Sequence, residues 1–505
     1  MKTLWTDGSI YKMDSENSMT EAVLTEGGKI IRTGEKEKLL PMADIVISLE
    51  GSAMYPGLVD SHIHLIGHGE KLSYLDLSGF TSIEDIVTEV RKKVVPGQWY
   101  VTEGWNDNNL IESRPITRAD LDGVIQESPI VLKRICRHVL VTNSIAMEIA
   151  GITEETTSPV GGMIGRDDNG RLNGLFYDEA QNLITSHIPP VTSDYLADVI
   201  RLSIQDLLSK GLTGVHTEDM SYYGPYNVPL KAYHDAVEEN FKVHLLRHHL
   251  VFEQMQGEVP TEFIEFGAMK IFVDGSLGGR TALLSTDYFD ATGTQGVAVH
   301  PEEKLEQLVK LARDYQENIA VHVIGDKATE LILDVIEKYP PPHPKKDRLI
   351  HVNVLRKDLI ERMRKLPLVL DIQPIFVPSD FPWVRERLGS ERMEWAYAWK
   401  TLIAAGLECS GGSDSPIENA DPFLAMDAAV NNVWNPAQSL SLYEALCLYT
   451  IGSAKAIGKG LSRGKIESGY DADFTIVNEP LTVSNLAKVS VCKTVVAGNI
   501  VYERK

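Results

Sequence analysis

Six residues of the metal-binding kind each stand at or near the end of a short apolar run. They are His62 and His64 in Val-Asp-Ser-His-Ile-His-Leu, Lys270 in Met-Lys-Ile-Phe-Val-Asp-Gly, His322 in Ala-Val-His-Val-Ile-Gly-Asp, His351 in Leu-Ile-His-Val-Asn, and Asp414 in Gly-Gly-Ser-Asp-Ser-Pro. Short apolar runs of this kind read as β-strands. Side chains spread over most of the chain can form one site only if the fold gathers strand ends. A (β/α)8 barrel does that at its C-terminal face.

Eight strand-like runs fit such a barrel: Leu58–Ser61, Thr213–Thr217, Val243–Leu250, Ala268–Val273, Ile319–Val323, Leu349–Val352, Leu368–Ile372 and Leu407–Ser410. Helical patterns separate most of them. Leu196, Val199, Ile200, Ile204, Leu207 and Leu208 recur on one face, and Gly211 stands where a C-terminal cap belongs. Leu305, Leu308, Val309 and Ala312 repeat the pattern after Pro301, placed as a first helical residue. Alternation of β and α over this length predicts a parallel sheet, and eight units predict its closure. The expected fold class is α/β, with a TIM barrel over residues 56–464.

Residues 1–55 and 465–505 look all-β instead. Strand candidates are Thr3–Tyr11, Ala22–Thr25, Lys29–Thr33 and Ile45–Leu49 at one end, and Phe474–Val477, Val491–Ala497 and Ile500–Tyr502 at the other. Gly27-Gly28 and Gly498-Asn499 supply turns between them. Neither end carries enough apolar surface for its own core, so the two are expected to pair into one small β-sandwich. Between His64 and Thr213 lies a stretch far too long for one βα loop. It reads as an inserted subdomain over residues 65–200, expected over the barrel mouth because it follows the first barrel strand. Thr81 with Glu84 predicts a capping box ahead of Ile83, Ile86, Val87, Val90 and Val94, and Trp99–Glu103 and Ile130–Ile135 read as strands.

The formal net charge is −22, which argues against nucleic acid and against an anionic membrane as partners. No apolar run approaches the ~20 residues of a membrane span, and the first residues lack a stretch of signal-peptide length. Cys136, Cys409, Cys447 and Cys492 show no Cys-x-x-Cys spacing and read as reduced thiols. The expected compartment is the cytoplasm.

Each ligand candidate has two readings. His62 and His64 are two apart, so both imidazoles can reach one ion from a strand, or they are polar residues on a loop edge. His322 and His351 are ligands or hydrogen-bonded core histidines. Asp414 is a final ligand from the eighth strand or a turn aspartate. Lys270 is either an exposed edge lysine or, buried beside metal, an amine that has reacted with CO2 to give an anionic carbamate. Taken together they offer nitrogen and oxygen donors without thiolate, a set that suits Zn2+ and also Fe, Mn, Co or Ni. Such a metal makes water a nucleophile at neutral pH, with Asp414 as general base and then general acid.

The order His-x-His, Lys, His, His, Asp on barrel strands resembles the amidohydrolase superfamily, and more narrowly its amidohydrolase-3 group of YtcJ-like proteins and N-substituted formamide deformylases. The likeness rests on Pro56-Gly57-Leu58-Val59-Asp60-Ser61-His62-Ile63-His64, Asn143-Ser144-Ile145-Ala146, Gly161-Gly162-Met163-Ile164, Lys270 to Ser276, His322 to Ala328, Gly412-Ser413-Asp414-Ser415-Pro416 and Ala472-Asp473-Phe474. It implies a metal-dependent hydrolase of a C–N bond (amide, formamide or N-acyl) in a small molecule. One or two divalent ions, most simply Zn, would be held with carboxylated Lys270, in a possible homodimer. Ester or lactone hydrolysis or deamination on the same scaffold is the alternative, and a non-catalytic barrel protein is a third reading. Trp105, His138, Asp274 and Arg280 are candidate substrate contacts, Arg280 through a carboxylate; Arg137 lies beside His138.

Overall fold

The computed structural model describes residues 1–123, 126–134, 138–159 and 161–504; Ile135, Cys136 and Arg137 lie outside them. The chain divides into two compact units, residues 1–68 with 193–505, and residues 69–192.

Eight parallel strands form the centre of the larger unit: β1 (Leu58–Ile63), β2 (Leu212–Thr217), β3 (Lys242–His248), β4 (Ile264–Phe272), β5 (Ile319–Val323), β6 (Asp347–His351), β7 (Leu368–Ile372) and β8 (Glu408–Gly411). They lie side by side in sequence order. Strands covered on both faces are buried along their length, and β2, β6 and β7 are buried at every position. Val321, Leu349 and Leu370 of neighbouring strands are fully buried and in register.

The ring comes together between β8 and β1. There the Asp414 backbone N–H donates to the His62 carbonyl at 2.7 Å. The Ser413 N–H donates to both Asp60 carboxylate oxygens at 3.1 Å. Gly412 permits this approach, because a Cβ there would lie 2.6 Å from the His62 nitrogen.

Helices Ser193–Ser209 and Glu302–Asp314 bury the predicted apolar faces. Pro301 is the N-cap of the second helix, one residue earlier than expected. Gly211 has φ +82°, the left-handed conformation that ends the first.

The two chain ends pair as expected, in one eight-stranded sheet. Its order is Asn499–Glu503, Val491–Val496, Phe474–Val477, Ala53–Pro56, Thr3–Tyr11, Met19–Glu26 and Lys29–Gly34, with Ile45–Ser48 also paired to Thr3–Tyr11. Ala53–Pro56, which the sequence reading did not separate, joins the halves: it is antiparallel to Phe474–Val477 and parallel to Thr3–Tyr11. Trp5, Ile10, Val23 and Met54 pack with Ile466, Phe474, Ile476 and Val495, and Trp5 meets Phe474 edge to face at 5.7 Å. Leu4, Ala22, Leu24 and Leu39 form a separate cluster. The first of these cores draws on both chain ends, the second on the N-terminal one alone.

The smaller unit is built on a five-stranded sheet, ordered Gly162–Arg166, Leu172–Asp178, Val139–Thr142, Ile130–Arg134 and Tyr100–Trp105. Helix Ile83–Lys93 buries Ile83, Ile86, Val87 and Val90. Its cap is Ser82, whose hydroxyl accepts from the Asp85 N–H, one residue along from the expected Thr81–Glu84 pair. Among the described residues no helix is long and apolar enough to cross a membrane, and Cys409, Cys447 and Cys492 are unpaired.

Candidate metal centre

The six ligand candidates occupy the C-terminal ends of barrel strands. His62 is on β1, with His64 immediately after it; Lys270 is near the end of β4, His322 on β5 and His351 at the end of β6. Asp414 follows β8 by three residues.

His62 Nε2 and His64 Nε2 each lie 3.4 Å from the Asp414 carboxylate. Lys270 Nζ is 3.5 Å from His62 Nε2 and 4.8 Å from the centre of the Phe272 ring. The His351 ring lies 5.6 Å from that of His62 and 4.6 Å from that of His322. Donor atoms of His62, His351 and Asp414 all fall within 4.8 Å of one another. Lys270 is fully buried, which removes the exposed-edge reading.

Three of the imidazoles are oriented from behind. His64 Nδ1 donates to the Glu218 carbonyl at 2.7 Å, which turns Nε2 toward the Asp414 carboxylate. His351 Nδ1 donates to Gln373 Oε1 at 2.8 Å, and the Gln373 amide is itself fixed on the Asp371 carbonyl. His322 Nε2 donates to the Gly275 carbonyl at 3.2 Å. Bonds of this kind fix the tautomer of a ligating histidine.

The electrostatics favour neutral nitrogen donors at His62, His322 and His351 and a charged carboxylate at Asp414. At His64, by contrast, burial is outweighed by the bond to Asp414 and the charges of Asp414 and Asp219, which raise it above the usual histidine range. Burial, with Lys270 nearby, holds His62 well below the usual histidine range. Burial and the neighbouring His351 do the same for His322, and burial brings His351 to about 4. Burial opposes ionisation of Asp414, but its bond to His64 and the charges of His351, His64 and Lys270 outweigh it and hold the carboxyl low. Burial depresses Lys270 to about 8, against the pull of Glu218 and Asp414.

The backbone is strained at the same place. His351, Val352 and Asp414 have φ of 81°, 45° and 57°. Non-glycine residues in this region cost about 1–3 kcal/mol each and cluster at functional sites.

The expected substrate contacts fare differently. Trp105 is a core side chain of the smaller unit, its indole N–H bound to the Leu132 carbonyl at 3.0 Å. His138 is 77% exposed and paired with Asp178. Arg280 is paired through two nitrogens with Asp290, the arrangement of a structural ion pair. Asp274 is buried and accepts backbone N–H bonds from Leu283, Ile324 and Gly325, so it clamps the loops after β4 and β5. One Asp274 oxygen also lies 3.9 Å from His322 Nε2. Two neighbours escaped the sequence reading. Glu218 directly follows β2 and is fully buried; a charged residue ending the apolar run Thr-Gly-Val-His-Thr was the available signal. Tyr222 stacks edge-on to both His64 and His248 at 5.9 Å, and its loop carried no signal.

Comparison with known proteins gives a consistent result. Residues 45–502 match the model of a family described as amidohydrolase. The YtcJ protein of Bacillus subtilis (strain 168) is 47% identical, over the whole of both chains. The N-substituted formamide deformylase of Arthrobacter pascens is 26% identical over 99% of this chain and 98% of its own. A crystal structure of an uncharacterized metal-dependent hydrolase from Pyrococcus furiosus superimposes with a TM-score of 0.83 at 30% identity, covering 95% of this chain and 99% of the other.

Proposed function

We propose, because the chain belongs to the amidohydrolase family and is a metal-dependent hydrolase, that it cleaves a C–N bond of amide, formamide or N-acyl type in a small molecule. The observation that carries this reading is the convergence of His62, His351 and Asp414 donors within 4.8 Å.

The residues fit a divalent ion. Zn–N and Zn–O bonds of ~2.1 Å in a tetrahedron put neighbouring donors ~3.4 Å apart, and the two His–Asp414 separations are 3.4 Å. His62, His64, His322, His351 and Asp414 would hold one or two ions, most simply Zn2+, with Lys270 as its CO2-derived carbamate. Burial of that amine beside carboxylates and imidazoles supports the carbamate, since an unreacted ammonium repels cations. When bound, the metal supplies Lewis acidity that makes water a competent nucleophile near neutral pH.

The chain's own residues do the rest. Asp414 accepts a proton from the attacking water and returns it to the departing nitrogen as the C–N bond breaks, giving an acid and an amine. His64 holds the Asp414 carboxylate, and the Glu218 carbonyl holds His64.

Asp414→Asn is expected to keep most of its metal and lose turnover by at least ~100-fold. Metal content per chain and a panel of formamides, N-acyl amino acids, lactones and aminated heterocycles check this. Turnover confined to lactones or heterocycles would overturn the C–N acyl assignment. Full activity of the variant would remove Asp414 from proton transfer.

A further inference from the structure

One buried carboxylate has no explanation in the fold. Asp60, Asp219, Asp274, Asp326, Asp347 and Asp371 are all buried and all hydrogen-bonded to backbone or side-chain donors. Glu218 is fully buried too, yet neither of its carboxylate oxygens has a partner among the described residues. Burying a carboxylate this way is unfavourable unless something pairs with it.

Its position is specific. Glu218 follows β2, next to the strand that carries the histidine pair, and its backbone carbonyl anchors His64. Lys270 is the charge that acts on it most strongly, followed by His64, and Glu218 is in turn the charge that acts most strongly on Lys270. The two nevertheless form no ion pair within 4.0 Å. Where this chain wants a buried ion pair it closes it, as in Arg313–Asp347 at 2.6 Å and Arg348–Asp371 at 2.7 Å. A buried carboxylate with both oxygens bare, on the residue whose backbone carbonyl anchors His64, has the chemistry of a cation donor.

We propose that Glu218 is a further carboxylate donor to the metal centre, supplied by the second barrel strand. This rests on the metal-dependent reading above. It also meets a charge requirement, for two divalent ions facing only Asp414 and one carbamate keep a net charge of about +2 in a buried site. Glu218 reduces that excess.

The test uses the full chain loaded with Zn2+ or Co2+, with Glu218→Gln as the isosteric variant. The variant is expected to bind metal at least tenfold more weakly by competition with a chelator. Its Co2+ absorption bands should shift as one oxygen donor is lost. Wild-type affinity within twofold, with an unchanged Co2+ spectrum, overturns the proposal. A crystal structure of metal-loaded wild type decides independently of how the variant folds. A Glu218 oxygen within ~2.2 Å of an ion supports the assignment, and one beyond ~3 Å from every ion overturns it. If wild type itself takes up no transition metal, the hydrolase reading falls and this inference with it. If wild type binds metal and Glu218→Gln matches it, only the Glu218 assignment falls.

Discussion

Arg348 spans the barrel interior beneath the ligand cluster. Its Nε and Nη2 donate to Asp371 at 2.8 and 2.7 Å, and Nη2 also reaches the Ser61 carbonyl at 2.6 Å, one residue before His62. Both charged side chains are fully buried. Arg348→Met leaves Asp371 without its countercharge and the Ser61 carbonyl without a donor. Breaking one side of a buried pair costs about 3–5 kcal/mol. For the larger unit, an unfolding entropy of about 2.1 cal/mol/K per residue converts that loss into a fall in Tm of about 4–6 °C. Calorimetry and urea unfolding measure it. Arg348→Met combined with Asp371→Leu should be less destabilised than the sum of the single changes by about 2 kcal/mol, because no charge is then left unpaired. Strict additivity, or a cost below about 1 kcal/mol for Arg348→Met, would refute the argument that this pair is held by mutual compensation.

Two other outcomes follow from the same reasoning. Lys270→Ala should lose metal and activity, and short carboxylates should restore part of both; full activity without any addition would show that the carbamate is unnecessary. Arg463 joins Glu265 of β4 to Asp471, which also binds Lys242 of β3. Burial opposes ionisation of Glu265 and Asp471, but their cationic and histidine partners prevail and hold both carboxyls low. Their contribution is therefore complete above the unfolded carboxyl pKa and is lost as pH falls from about 5 towards the folded values. Stability measured between pH 7 and pH 3.5 should fall more steeply in wild type than in Arg463→Met, and parallel curves would exclude the network as the cause.

Much of the architecture could be read from the chain because its signals are local. A parallel strand buried on both sides tends to be apolar, so His322 or His351 inside such a run stands out as a side chain needing a reason. What escaped reading depends on partners far away in sequence. Arg348 and Asp371 are charges within apolar strands, and only the closed ring shows that each answers the other. Ala53–Pro56 is four residues ahead of a turn, and nothing local says that it will join the two chain ends. Trp105 carries an aromatic signal that serves a pocket and a core equally well, and the core of the smaller unit claimed it. Asp274 and Arg280 read as candidate substrate contacts, and only the folded chain shows that backbone N–H groups and Asp290 are their partners. Glu218 stands at the end of a strand, but nothing in the sequence says that its carboxylate will be buried without a partner.

The meeting of β8 with β1 has a consequence for biogenesis. Asp414 bonds to the carbonyl of His62, so the join that shuts the ring is also the join that completes the donor cluster. A nascent polypeptide still lacking its last barrel strand has its histidines but no finished cage. On the proposed metal-dependent reading, full capture of an ion would wait for this join, and competence would follow the docking of the last barrel strand.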